Sequence, residues 1–210
     1  MTTAAPRRAR ARRGEGERLR EEILAAAERL LLETGSEEAV SIRAVAAAVG
    51  VTPPSIYRHF ADKNHLLFEV CAVQMARLGE HLRSAMAEVD DPVVALGVMG
   101  EAYVRFGVEH PEHYRIMFMG RSDLTPEQYA DELLVETSPF AMLVAMCQRA
   151  VDAGATRHRD AFRVALVLWS AVHGLTSLLV AKPNLPWPDV DVLVHDLLDV
   201  VVGGEFPTPG

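Results

Sequence analysis

Cysteine is scarce in this 210-residue chain. Cys71 and Cys147 lie far apart, within helix-like patterns and outside any zinc-ligand spacing. The chain therefore reads as a reduced, cytosolic protein, without a disulfide framework or a structural zinc. The N-terminus is arginine-rich but has no apolar core segment, so no cleavable secretory signal is expected. Long apolar runs are also missing. The longest, residues 164 to 181, is interrupted by Ser170, His173, Gly174, Thr176 and Ser177, and reads as a buried helix rather than a membrane span. There is no Gly-rich phosphate loop, no nucleophile elbow and no paired-carboxylate motif, so the chain is expected to be neither an enzyme nor a cofactor binder. His110-Pro111-Glu112-His113 sits at a helix junction with no third ligand set, and no metal is expected there. His158 and His195 read as surface residues. No strand pattern and no internal repeat is found, which leaves an all-α chain.

What is present is apolar residues, at 50% of the sequence, and an uneven distribution of charge. The apolar content and the length allow one or two domains with a sizeable core. The net charge of −8 by itself argues against nucleic acid. Residues 1 to 70, however, carry 11 basic and 10 acidic residues, whereas residues 71 to 210 carry 10 and 19. Residues 1 to 20 hold seven arginines against two glutamates. A local basic region governs phosphate contacts more directly than the whole-chain balance does.

Beside that basic region, residues 41 to 63 read as two short helices separated by a glycine turn. The Ser41 hydroxyl can cap the first by accepting an orphan backbone N–H. Ile42, Val45, Ala46 and Val49 recur at helical spacing and form one apolar face. Gly50 can take the left-handed conformation that ends a helix. Thr52 is placed to cap the second helix, with Pro53 at its first position. Ile56 and Phe60 point back at the first helix, which turns Ser55, Arg58 and His59 outward. Such a pair is a helix-turn-helix, whose second helix suits a DNA major groove.

The run Ser41-Ile42-Arg43-x-Val45-Ala46, Gly50-Val51-Thr52, Ser55-Ile56-Tyr57-Arg58-His59-Phe60 and Lys63-x-x-Leu66-Leu67 resembles the DNA-binding signature of the TetR family of transcriptional regulators. The resemblance covers roughly residues 17 to 70. A further run, Trp169-x-x-x-His173-Gly174, is similar to the C-terminal domain of one subgroup. Pro54 departs from the small residue the family often has there. The resemblance implies a homodimer bound to double-stranded DNA at an inverted-repeat operator, with recognition helices ~34–36 Å apart. It also implies that Tyr57, His59 and Lys63 contact phosphates, and that Arg43, Thr52 and Ser55 lie nearest the bases. With Ser41, Pro53 and Arg58 these make up the candidate DNA set. The arginines between Arg7 and Arg13 either enter a minor groove, add non-specific affinity, or form a solvated tail.

The expected organisation is a basic arm over 1 to 14, a three-helix DNA-binding bundle over 15 to 62, a helical ligand-binding and dimerisation domain over 63 to 202, and an unstructured tail over 203 to 210. A long helix over 63 to 87, with Leu67, Val70, Gln74 and Leu78 on one side, joins the two domains. Helices are then expected over 92 to 109, 111 to 119, from the capping box Thr125-Pro126-Glu127-Gln128 onward, from Ser138 to near Gly154, over 160 to 181 and over 189 to 202. Phe162, Ala165, Leu166, Trp169 and Val172, with Val192, Leu193, Leu197 and Val200, form apolar stripes expected at a dimer seam.

Soft and aromatic side chains collect in this half. Tyr103, Phe106, Met117, Met142, Met146, Trp169 and His173 are the candidate ligand set, for a small apolar or aromatic effector. Trp169 and His173 share a helix face at i, i+4. The plainer reading of the same residues is a packed core. The expected function is ligand-responsive regulation of transcription, as a repressor. The alternative is a helical small-molecule-binding protein or enzyme without DNA binding, which would need a convergent catalytic constellation that the sequence lacks.

Overall fold

A computed structural model describes residues 15–118, 135, 138–156 and 158–203. The arginine arm, the capping box at Thr125 and residues 204 to 210 lie outside them. Nine helices and no strand occur among the described residues. They are α1 (Glu15–Thr34), α2 (Ile42–Val49), α3 (Pro53–Ile56), α4 (Lys63–Ala85), α5 (Pro92–Glu109), α6 (Pro111–Phe118), α7 (Pro139–Asp152), α8 (Ala161–Ala181) and α9 (Val190–Leu198). A π-helical turn, Asp199–Gly203, follows α9.

The chain divides into two compact units, Met1–Gln74 with Arg115–Gly120, and Met75–Tyr114 with Arg121–Gly210. The sequence places the break at the start of α4, whereas the structure places it inside that helix. The reason is packing: Leu66, Leu67 and Val70, from the first half of α4, belong to the core of the first unit.

In the first unit, Ile23, Ala27, Leu31, Val40, Val45, Ile56 and Phe60 close around that half-helix. Gly35 ends α1 in the left-handed region at φ 62°, and Gly50 ends α2 at φ 77°. The Gly50 N–H turns back to the Ala46 and Ala47 carbonyls, and the Val51 N–H reaches the Ala46 carbonyl at 2.9 Å. These bonds satisfy carbonyls that the end of a helix leaves without partners. Ser41 caps α2 as expected, its Oγ accepting the Ala44 N–H at 3.1 Å.

The second unit is built around α5, which packs on α7, α8 and α9. Carboxylate and hydroxyl caps start its helices. Asp91 accepts the Val93 and Val94 N–H groups, Ser138 that of Ala141, and Asp160 that of Arg163. Two glycines let α5 approach its neighbours. A Cβ at Gly107 would lie 2.3 Å from Cγ2 of Thr176 on α8, and one at Gly100 would lie 2.9 Å from Cγ1 of Val194 on α9.

Helix α8 is long and apolar enough to cross a membrane by length and composition. Within the unit it buries Val164, Ala165, Leu168, Val172, Thr176 and Leu179. The seam stripe expected on α8 is therefore corrected. Ala165 and Val172 face inward, whereas Phe162 of the expected stripe is exposed, and so are Val167 and Leu178, which the stripe left out. A helix apolar on several faces has no sequence signal for which of them its own subunit covers.

Candidate functional site

The first cluster of candidate residues surrounds α3. Ile56 and Phe60 are fully buried and anchor the α3 segment. The same helical spacing turns Thr52, Pro54, Tyr57 and Arg58 outward, with Pro53, Ser55 and His59 half-buried beside them. Ser41 and Arg43 are exposed on α2, and Lys63 opens α4. The Lys63 ammonium donates to the Glu37 carbonyl. The candidate DNA set thus lies in one stretch of the first unit, on α2, α3 and the turn into α4.

Thr52 behaves differently from the sequence expectation. It holds the position before α3, yet its side chain caps nothing. A capping side chain reaches the second or third N–H of its helix. Here the first two residues are Pro53 and Pro54, which have no N–H. The third, Ser55, donates its N–H to the Thr52 carbonyl at 2.8 Å. The Thr52 hydroxyl is instead paired with that of Ser55 at 3.2 Å.

The turn into α4 is held by a cap that the candidate set omits. Asp62 Oδ1 accepts the His65 N–H at 2.8 Å, and His65 Nδ1 accepts the Ala61 N–H at 3.0 Å. The signal was an aspartate three residues before a histidine at a helix start, a variant of the capping box.

The second cluster lies in the second unit, where α5, α6 and α8 bring Tyr103, Tyr114, His173 and Ser177 together. The Tyr103 and Tyr114 hydroxyls lie 3.0 Å and 2.9 Å from His173 Nδ1. The Tyr114 hydroxyl is also 3.1 Å from the His173 carbonyl and 3.0 Å from Ser177 Oγ. Trp169 stands beside His173 with ring centroids 5.8 Å apart, and Phe140 beside Trp169 at 5.5 Å. Burial pushes the Tyr103 and Tyr114 phenols up and the His173 imidazole down, so all three are held neutral. A phenol donates once and accepts twice, and Nδ1 offers either one proton or one lone pair. The His173 tautomer therefore decides whether Nδ1 accepts a proton from a tyrosine hydroxyl or donates one to it.

Of the candidate ligand set, Tyr103, Trp169 and His173 meet in this cluster. Phe106 stands one turn beyond Tyr103 and packs instead against the His81 and His110 rings, at 5.7 Å and 5.1 Å. Met142 and Met146 lie on α7, where Met146 Sδ accepts a contact from the Arg149 guanidinium at 3.7 Å. Met117 belongs to the first unit. Tyr114 and Ser177 were missed by the sequence reading. The available signal for Tyr114 was general: a buried tyrosine hydroxyl needs a partner. No group of three or more metal-ligating side chains occurs among the described residues. Cys147 is fully buried, with its thiol pushed up to about 12 by desolvation.

Comparison with known proteins joins the two clusters. Residues 23–70 match the family described as bacterial regulatory proteins, tetR family. Residues 96–201 match the family described as tetracyclin repressor-like, C-terminal domain. The chain is similar to YobS, an uncharacterised HTH-type transcriptional regulator of Bacillus subtilis (strain 168), at 23% identity over 68% of this chain and 69% of that protein. Its fold is similar to a protein of unknown function from Rhodococcus sp. RHA1, with TM-score 0.72 and 26% identity over 89% of this chain and 94% of that one. It is also similar to PfmR, a TetR family transcriptional regulator from Thermus thermophilus, with TM-score 0.62 and 25% identity over 88% of this chain and 99% of that one. The helix-turn-helix, the all-helical C-terminal unit and these matches together make the chain a member of the tetR family: a DNA-binding transcriptional regulator, not an enzyme.

Proposed function

We propose that the protein is a homodimeric repressor that leaves an inverted-repeat operator when a small apolar or aromatic molecule enters its C-terminal unit. It works in the cytoplasm, where the DNA is. DNA binding lies in the first unit, which includes the first half of α4, and effector and subunit binding lie in the second. Tyr57, His59 and Lys63 hold phosphates, while Arg43, Thr52 and Ser55 lie at base edges. The exposed positions around α3 support this assignment. Backbone donors contribute little at α3, because Pro53 and Pro54 carry none. The side chains and the basic arm therefore supply most of the phosphate grip. The dimer seam uses the outward faces of α8, α9 and the π-helical turn after α9, where Val167, Leu178, Val192 and Val200 are each more than half exposed. Exposed apolar residues at helical spacing on adjacent helices are a poor surface to leave in water.

The observation that carries the effector reading is the polar cluster of Tyr103, Tyr114, His173 and Ser177, with Trp169 beside His173 and Phe140 beside Trp169. Its protons can be rearranged by a change of His173 tautomer. That suits an apolar body carrying one hydroxyl, carbonyl or protonated acid, which the cluster can meet as donor or acceptor. Binding moves the operator equilibrium only by the difference in effector affinity between the two states. The test is a screen of such molecules against the Trp187→Phe variant, which leaves Trp169 as the single indole. A true effector shifts Trp169 emission, raises the melting temperature by mass action and releases DNA. Tyr114→Phe should weaken all three effects together. Ligands that raise the melting temperature but never change DNA affinity would refute the repressor reading.

A further inference from the structure

We propose that His65 is a positioning residue for DNA binding, and that protonation of its imidazole loosens the turn that carries the phosphate-contacting side chains. The inference rests on the assignment of Tyr57, His59 and Lys63 to the DNA face.

The geometry is a reciprocal cap. Asp62 accepts the His65 N–H, and His65 Nδ1 accepts the Ala61 N–H at 3.0 Å. A capping box usually places a glutamate or glutamine in the third helical position, where its oxygen accepts at any ordinary pH. Here an imidazole does the accepting. Nδ1 can accept only while it carries no proton, so this bond selects the neutral tautomer protonated at Nε2. Nε2 then faces Glu69 Oε1 at 3.5 Å. Once Nδ1 is protonated, two donors confront each other across the Ala61 bond and that bond is lost. At Nε2 the proton is present in both states. The added charge strengthens its contact with Glu69, a carboxylate already paired with Arg20, but places a cation in the first turn of α4, where the helix dipole opposes it.

The surroundings leave the switch accessible. The His65 side chain is 42% exposed, so solvent protons reach it. The charged and titratable groups around it are Asp62, Lys63 and Glu69 of the α4 segment, Arg20 of α1, and His59 of the turn before it. Arg20 pairs with Glu69 at 2.7 Å, and its guanidinium lies 5.4 Å from the centre of the Phe60 ring. That ring lies 5.8 Å from the His65 ring. The Glu69 carboxylate is thus shared between Arg20 and His65. Lys63 is turned to the Glu37 carbonyl. Ala61 stands midway between His59 and Lys63 in the chain. A turn that has lost its Ala61 bond presents both residues less well.

The sign of the effect distinguishes it from ordinary electrostatics. Protonating His59 on the DNA face adds positive charge and strengthens phosphate binding as pH falls. Protonating His65 instead removes the Ala61 bond and weakens binding. Comparison with His65→Gln isolates the second effect, because glutamine can accept the Ala61 N–H and does not titrate.

The test uses the full-length protein and a DNA duplex recovered by selection from a random-sequence library, at fixed ionic strength. The ratio of wild-type Kd to that of His65→Gln should be near one at pH ~8 and rise about five- to ten-fold by pH ~5.5. A ratio constant across that range overturns the proposal. Nitrogen-15 NMR of the His65 ring, without DNA, is the second measurement: at pH ~8 it should show Nδ1 unprotonated and Nε2 protonated. The opposite tautomer overturns the proposal regardless of DNA. Lys63→Ala separates the two failures. Weaker binding by that variant with a constant wild-type to His65→Gln ratio leaves the DNA face standing and removes His65. Unchanged binding by Lys63→Ala overturns both.

Discussion

Replacing Gly107 with alanine tests the packing at the heart of the second unit. Alanine normally stabilises a helix interior relative to glycine, by about 0.5–1 kcal/mol. At Gly107 the added Cβ would lie 2.3 Å from Thr176 Cγ2 and 3.1 Å from Tyr114 Cδ2. Thr176 is fully buried on α8, and its hydroxyl donates to the Val172 carbonyl at 2.7 Å. A β-branched side chain in a helix has few rotamers to escape into. Relief therefore requires Thr176 to give up that bond or α5 and α8 to part. Overpacking of this kind costs about 1–3 kcal/mol, which exceeds the propensity gain. The net expectation is a loss of about 1–2 kcal/mol, or roughly 2–8 °C in melting temperature for a chain this size. Thr176→Ser removes the offending methyl and keeps the hydroxyl. The double variant should recover most of the loss, giving a coupling energy of about 1 kcal/mol or more in a double-mutant cycle. Urea unfolding of the four proteins measures this directly. The argument is refuted if Gly107→Ala is as stable as the wild type, or if the two substitutions simply add.

Four other expectations are open to measurement. Lys63→Ala should weaken binding to all duplexes alike and lower the salt slope by about one, whereas Arg43→Ala should relax preference at particular base pairs by about 1–3 kcal/mol. Ser41→Ala should destabilise by about 1 kcal/mol through the lost cap, while Thr52→Ala, whose hydroxyl caps nothing, should leave urea unfolding nearly unchanged. Val167→Glu or Leu178→Glu should convert a dimer into a monomer by light scattering; a wild-type protein that stays monomeric at micromolar concentration would refute the seam. Burial lowers the His173 pKa, so as pH falls below the ordinary histidine range the unfolded chain takes up that proton first. The stability His173 contributes when neutral is therefore present near pH ~7.5 and lost on acidification, and His173→Gln should flatten the melting temperature between about pH 7.5 and 5.5.

Much of the architecture could be read from residue order, because the determinants are local. Ser41, Gly50, Asp91-Pro92 and Ser138-Pro139 mark helix ends through donors and backbone conformations that belong to a few adjacent residues. The helix-turn-helix was legible for the same reason. What could not be read depends on which of several eligible faces or partners is used. Helix α8 is apolar on more than one side, and only the positions of α5, α7 and α9 decide that Ala165 turns in and Val167 turns out. Tyr114 and Ser177 join His173 through contacts between α6 and α8, which no periodicity encodes. Thr52 is a different kind of miss. A count of N–H groups in Pro53-Pro54-Ser55 would have shown that its hydroxyl had nothing to cap.

Those two prolines also affect how quickly a duplex can be captured. A four-residue helix has little cooperative stability of its own, and an unrestrained one would have to be ordered at each encounter. Pro53 and Pro54 fix two of its four φ angles in the unfolded chain as well as the folded one, so less conformational entropy remains to be lost. The reading segment therefore meets DNA already shaped. Its association rate should be limited by diffusion and charge steering rather than by a folding step.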